Sequence, residues 1–156
     1  MLFLLNFSQI YFFQTPLQGY FDFNLRPLAK YMNLSAKQNE VVLYTPQKTN
    51  VLQKYMFYAN TLSEDAYITI RACPEESDML SKNKTAIVDS YCEFAFKKPH
   101  ILLAQLKDSG ETYKIYQDVI CKNINLKSYI SHLQFSDFLI EQMPAQKFCE
   151  TFILKQ

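Results

Sequence analysis

The alternation of apolar and polar positions divides this chain into short strand-like runs. Glu40–Thr45 (EVVLYT) reads as a strand stopped by Pro46. Val51–Leu62 (VLQKYMFYANTL) reads as strand-like at its tyrosine-rich centre, although its first half is also compatible with a helix. Ala66–Cys73 (AYITIRAC) alternates strictly, with Ile68, Ile70 and Ala72 on one side and Tyr67, Thr69 and Arg71 on the other. That is the pattern of a half-buried strand. From Thr85 to about Phe96, Val88, Cys92, Phe94 and Phe96 share one face, and Asp89, Tyr91 and Glu93 the other. Ile101–Leu106 is almost wholly apolar, as in a strand covered on both sides. Tyr113–Cys121 alternates again after a turn that contains Gly110.

Helical spacing shows in three places. Arg26–Lys37 sets Leu28, Tyr31, Met32 and Leu34 near one face. Asn125 is placed to cap a helix whose stripe is Leu126, Tyr129, Ile130 and Leu133. A second helix starts at Pro144, with Ala145, Phe148, Cys149, Phe152 and Ile153 as its stripe. The organisation expected is an apolar N-terminal extension (1–38) packed on the core or on a partner, a strand-rich body (39–124), and a C-terminal helical region (125–156). Five or six strands with few helices predict a mainly β fold, a small barrel or sandwich.

Composition narrows the function classes. Hydrophobic residues make up 49% of the chain, enough for a real core. The only glycines are Gly19 and Gly110, which excludes a glycine-rich phosphate loop. A formal charge of +1 argues against tight, autonomous DNA binding. Cys73, Cys92, Cys121 and Cys149 form no CxxC pair, so no zinc site is expected. Their apolar surroundings predict buried free thiols in a reducing compartment. The opening MLFLLNFSQIYFF has no basic flank and no cleavage site, and is shorter than the ~20 residues of a spanning helix. It is expected to pack against protein rather than enter a membrane. His100 and His132 have no triad-like partners in sequence. Asp89 and Glu93, four apart on a strand, stand about 13 Å apart, too far for a retaining carboxylate pair. No enzyme activity, cofactor or metal is expected.

The stretch from Val51 to Leu133 resembles the smallest subunit of the CST telomere complex, a relative of the small subunit of replication protein A. HILLAQLKD, the turn at Ser109-Gly110, YKIYQDVIC and KNINLKSYISHL are similar to that family's fourth strand, turn, fifth strand and start of the C-terminal helix. VLQKYMFYANTL, AYITIRAC and TAIVDSYCEF follow the order of its strands one to three. Two departures stand out: Lys54–Tyr58 lacks the glycine expected near the first strand, and the family has no such long apolar N-terminal region.

The resemblance implies a five-stranded OB-fold barrel with a C-terminal helix or helices. It implies a non-catalytic subunit of a telomere- or telomerase-associated trimer in the nucleus. Such a subunit assembles with a middle OB-fold and winged-helix subunit and with a large OB-fold subunit, and it supports end replication. Leu126, Tyr129, Ile130 and Leu133 would then dock on the middle subunit, with Phe148, Phe152 and Ile153 as a further interface. Single-stranded DNA, held weakly or only within the complex, would meet Tyr67 and Tyr91 by stacking and Arg71, Lys97 and Lys98 by charge. The alternative is a structural accessory subunit of another large assembly, for example a mitochondrial one.

Overall fold

The computed structural model describes residues 25–59, 68–103, 113–126 and 140–155. Its hub is β1 (Glu40–Tyr44), which pairs in parallel with β2 (Ile68–Arg71) on one side and β3 (Lys84–Asp89) on the other. The sheet continues through antiparallel ladders. β3 pairs with β5 (Tyr113–Tyr116), β5 with β4 (Ile101–Leu103), and β4 with β6 (Ile153–Lys155). The order is β2-β1-β3-β5-β4-β6. The strand-rich expectation therefore holds as a six-stranded mixed sheet, open at β2 and β6 among the described residues rather than closed on itself.

Parallel neighbours force the connections between them to recross the sheet. Between β1 and β2 that crossing is α2 (Lys48–Ala59), which corrects the strand expected at Val51–Leu62. Val51 and Tyr55, four apart, are buried, while Leu52, Met56 and Phe57 face outward. Apolar residues on every side of this helix erase the one-sided stripe from which a helix is usually read. The other two crossings, residues 72–83 and 90–100, are irregular. The expected long strand from Thr85 to Phe96 accordingly ends at Asp89, where a turn begins.

Strand alternation separates two packed faces. On the first, Val41, Leu43, Ile87, Ile115, Leu103 and Ile153 meet α1 (Leu25–Ala36), α2 and α3 (Ala145–Phe152). α1 forms where Arg26–Lys37 predicted a helix, with Pro27 tolerated in its first turn and Leu28, Tyr31 and Met32 buried. α3 follows Pro144 as expected. Phe148 and Phe152, and Ile153 just beyond the helix in β6, are fully inside this core. In the isolated chain these expected interface residues are covered by the chain's own core. On the second face, Val42, Tyr44, Ala86, Val88 and Tyr116 are covered by the two irregular crossings, through Cys73 and Leu80 of the first and Cys92 and Phe96 of the second.

The cysteines also differ from expectation. They form two disulfides, Cys73–Cys92 with Cα atoms 5.3 Å apart and Cys121–Cys149 with Cα atoms 5.6 Å apart. Sequence spacing alone does not choose partners; the fold does. Cys73 and Cys92 open the two crossings of the second face, and Cys149 rides on α3.

Polar joints fix the first face. Arg26 makes paired 2.7 Å hydrogen bonds to the Glu141 carboxylate, in the 3-10 turn Ile140–Gln142, and Lys30 donates to the Glu141 carbonyl at 2.8 Å. Burial opposes the charge on Glu141, but the Arg26 hydrogen bonds, its own backbone and the nearby cations outweigh it and hold the carboxyl below its usual range. The residue after β5 is Gln117, whose φ of 57° lies in the left-handed region and which is held by Thr85 Oγ1 donating to its carbonyl. The next residue, Asp118, uses Oδ1 to accept from the Tyr31 hydroxyl at 2.6 Å and from the backbone N–H groups of Ile120 and Cys121. This turn aims Cys121 at Cys149.

Tyr31→Phe is expected to cost about 2 kcal/mol, the value of a hydrogen bond to a charged acceptor, read as a lower urea midpoint at unchanged m value. Burial first, and then the Asp118 charge, push the Tyr31 phenol well above its ordinary range. The stability held in this neutral phenol is complete below the unfolded value of about 10 and is lost as pH rises toward the higher folded value. The parent chain should therefore lose stability above about pH 10 more steeply than Tyr31→Phe.

Candidate binding cleft

The second face carries a concave site that the two crossings build together. β2 and β3 run in the same direction, so 72–83 leaves the carboxyl end of β2 and returns along the sheet to start β3. β4 runs parallel to β3 because both oppose β5, so 90–100 makes the same journey. Leu80 from the first crossing and Phe94, Ala95 and Phe96 from the second pack on Tyr44, Val88 and Tyr116. The Cys73–Cys92 bond ties the heads of the two crossings to each other.

Where they meet lies a cleft of about 530 Å³, lined by Glu76, Asp78, Met79 and Leu80 from the first crossing and by Phe94, Phe96, Lys97 and Lys98 from the second. Two of the lining residues, Phe94 and Phe96, belong to a linked set of aromatic rings. Phe96 meets Phe94 at 6.2 Å, Tyr44 at 5.8 Å and Tyr116 at 5.3 Å, all edge to face, and His100 lies 5.2 Å from Tyr116. Edge-to-face pairs of this kind add to burial and hold ring orientations. Burial, with the Asp78 carboxylate second, raises the Tyr44 phenol, and burial alone raises that of Tyr116. Both rings are therefore neutral at any physiological pH.

Local hydrogen bonds keep the walls in place. Asp78 accepts from the Glu75 N–H at 2.8 Å and closes a tight turn in the first wall. At the head of the second, Asp89 accepts from the Thr45 hydroxyl at 2.8 Å and from the Tyr91 N–H at 3.1 Å. His100 shares a 3.2 Å contact with the Lys98 carbonyl, which assigns the Nδ1 hydrogen to that bond. Arg26–Glu141 and Lys84–Glu40 form ion pairs among the described residues, neither of them at the cleft. The first crossing brings carboxylates to the cleft and the second brings ammonium groups. The chemistry is that of recognition: an apolar base, adaptable Met79 and Leu80, and charges of both signs at the rim.

The residues singled out from sequence scatter over this geometry. Lys97 and Lys98 do line a site, but beside two acids, not along a phosphate track. Arg71 is exposed at the end of β2, and Tyr91 is exposed on the turn after β3. Asp89, expected on a solvent face, is buried against Thr45. Leu126 is half-buried against the first core. Tyr67, Tyr129, Ile130, Leu133 and His132 lie outside the described residues. The cleft residues that sequence reasoning passed over are Glu76, Asp78, Met79, Leu80, Phe94 and Phe96. Their signal was the apolar pair Met79-Leu80 inside the otherwise polar run PEESDMLSKNK. Among the described residues no cluster of His, Cys, Asp and Glu is arranged to hold a metal ion, and no helix is long and apolar enough to cross a membrane. No family model, curated protein or solved structure matches the chain.

Proposed function

We propose that this chain is a non-catalytic binding domain of an oxidising compartment, and that its cleft receives a segment of a protein partner. The observation that carries this reading is the covalent tie between the two walls. Loops presented on a rigid sheet are where proteins place recognition. Here a six-stranded sheet presents irregular loops, and Cys73–Cys92 holds their heads together. Preorganisation of this kind lowers the ordering cost of binding. The cleft volume falls in the range of ligand sites.

The telomeric, CST-like role implied by the resemblance is a different proposal. A nuclear subunit works among reduced thiols, where two disulfides are rare, and for that reason the stapled cleft is preferred. The test is selection of binders from a displayed random-peptide library by the oxidised full chain. Binders that lose at least about tenfold in affinity against Phe94→Ala support the reading. A library that yields none, or binders indifferent to Phe94→Ala, would overturn it.

A further inference from the structure

We infer that the cleft selects a dipolar peptide segment: an aromatic or large aliphatic anchor with a basic residue on one side and an acidic residue on the other. This rests on the binding-domain reading above and specifies its ligand. The inference starts from the separation of charge. Glu76 and Asp78 come from the crossing that follows β2, and Lys97 and Lys98 from the crossing that follows β3. The two signs therefore reach the cleft from different crossings. The same cleft is lined by the apolar side chains Met79, Leu80, Phe94 and Phe96.

A small neutral ligand would use the apolar base and leave four rim charges idle. A uniformly acidic segment, nucleic acid included, would gain from the lysines and be repelled by the acids. A uniformly basic segment would meet the reverse. Only a ligand carrying both signs about an apolar centre meets complementary charge on both walls, and like charges brought together are what most strongly rejects a wrong partner. Glu76, Lys97 and Lys98 are solvent-exposed, so their charges reach a ligand without a desolvation cost that would cancel the gain. Met79 is 91% exposed and free to fold over an anchor of varied shape.

The experiment uses the oxidised full chain and four synthetic nonapeptides in fluorescence anisotropy at low salt. The first carries two lysines, a central phenylalanine and two glutamates in that order. The second and third replace all four charges with lysine or with glutamate. The fourth replaces the phenylalanine of the first with alanine. The dipolar peptide is expected to bind about tenfold more tightly than either single-sign peptide. Loss of the anchor is expected to cost about 30-fold or more. In the variant Lys97→Glu/Lys98→Glu, whose exposed positions leave the fold intact, preference should pass to the all-lysine peptide. Rim charge sets that swap, and a merely structural role would not produce it. Equal binding of the three charged peptides, or an unchanged preference in the double variant, overturns the dipolar inference while leaving a binding cleft in place. A cleft that takes none of the four, while library-selected peptides still depend on Phe94, overturns the inference alone. Failure of both overturns the cleft reading as well.

Discussion

Reduction of the two disulfides is expected to unfold this chain near room temperature. Cys73–Cys92 spans 19 residues and Cys121–Cys149 spans 28. Closing loops of that size constrains the unfolded chain by about 3 kcal/mol each on the chain-entropy model. Domains of this size have only about 5–15 kcal/mol of net stability, so losing both bonds, about 6 kcal/mol together, unfolds a chain near the lower end of that range. The two bonds should not be equal. Cys121 and Cys149 are both fully buried, join the Asp118 turn to α3, and belong to the larger core. Cys73 is half-buried and serves the smaller, loop-covered face. Replacing Cys121 and Cys149 with alanine should therefore lower the urea midpoint more than the same change at Cys73 and Cys92. The second pair should instead lower affinity at the cleft, since it releases the walls from each other. Equilibrium urea curves with and without reductant read the first effect, and peptide anisotropy the second.

Phe148→Ala is expected to cost about 3–5 kcal/mol, the range for truncating a fully buried aromatic side chain. Phe148 is 0% exposed and sits 5.3 Å, centroid to centroid, from Phe152. It lies one residue before Cys149 on the helix that covers the first face, so the cavity would open beside the disulfide. A residue held at the surface for a partner would respond differently, with a change within about 0.5 kcal/mol in the isolated chain. Phe57, 79% exposed on α2, provides that contrast: Phe57→Ala should be nearly neutral where Phe148→Ala is severe. A urea series with both variants separates packing from interface for the C-terminal stripe.

Much of the sheet was visible in the alternation of residues. The cores of AYITIRAC and TYKIY became strands, because β-branched and aromatic residues on a half-buried surface leave a period of two, and those of EVVLYT and HILLAQL became strands as short apolar runs. The directions of the strands were not visible. Parallel pairing of β1 with β2 and β3 is decided by which faces need covering, and that demand turned VLQKYMFYA into a crossover helix. The same cause hid the disulfides. Cys73 and Cys92 meet only because two crossings leave neighbouring strand ends, and Cys121 meets Cys149 only because Asp118 turns the chain after β5. Val88, Cys92 and Phe96 were correctly grouped on one side, yet beyond Asp89 they reach that side from a loop. The cleft was half legible. Lys97 and Lys98 stood out as exposed charge, but their acidic counterparts lie on a different loop, and only the fold brings the two to one cleft.

The stapled cleft is tested most directly by the disulfide map of the native chain. Cells producing the full-length protein would be quenched with acid, free thiols alkylated, and the unreduced protein digested for mass spectrometry. The expected result is two linked peptide pairs, Cys73 with Cys92 and Cys121 with Cys149, and no alkylated cysteine. Four alkylated cysteines, or a different pairing, would contradict both the covalent tie across the cleft and the oxidising compartment inferred from it.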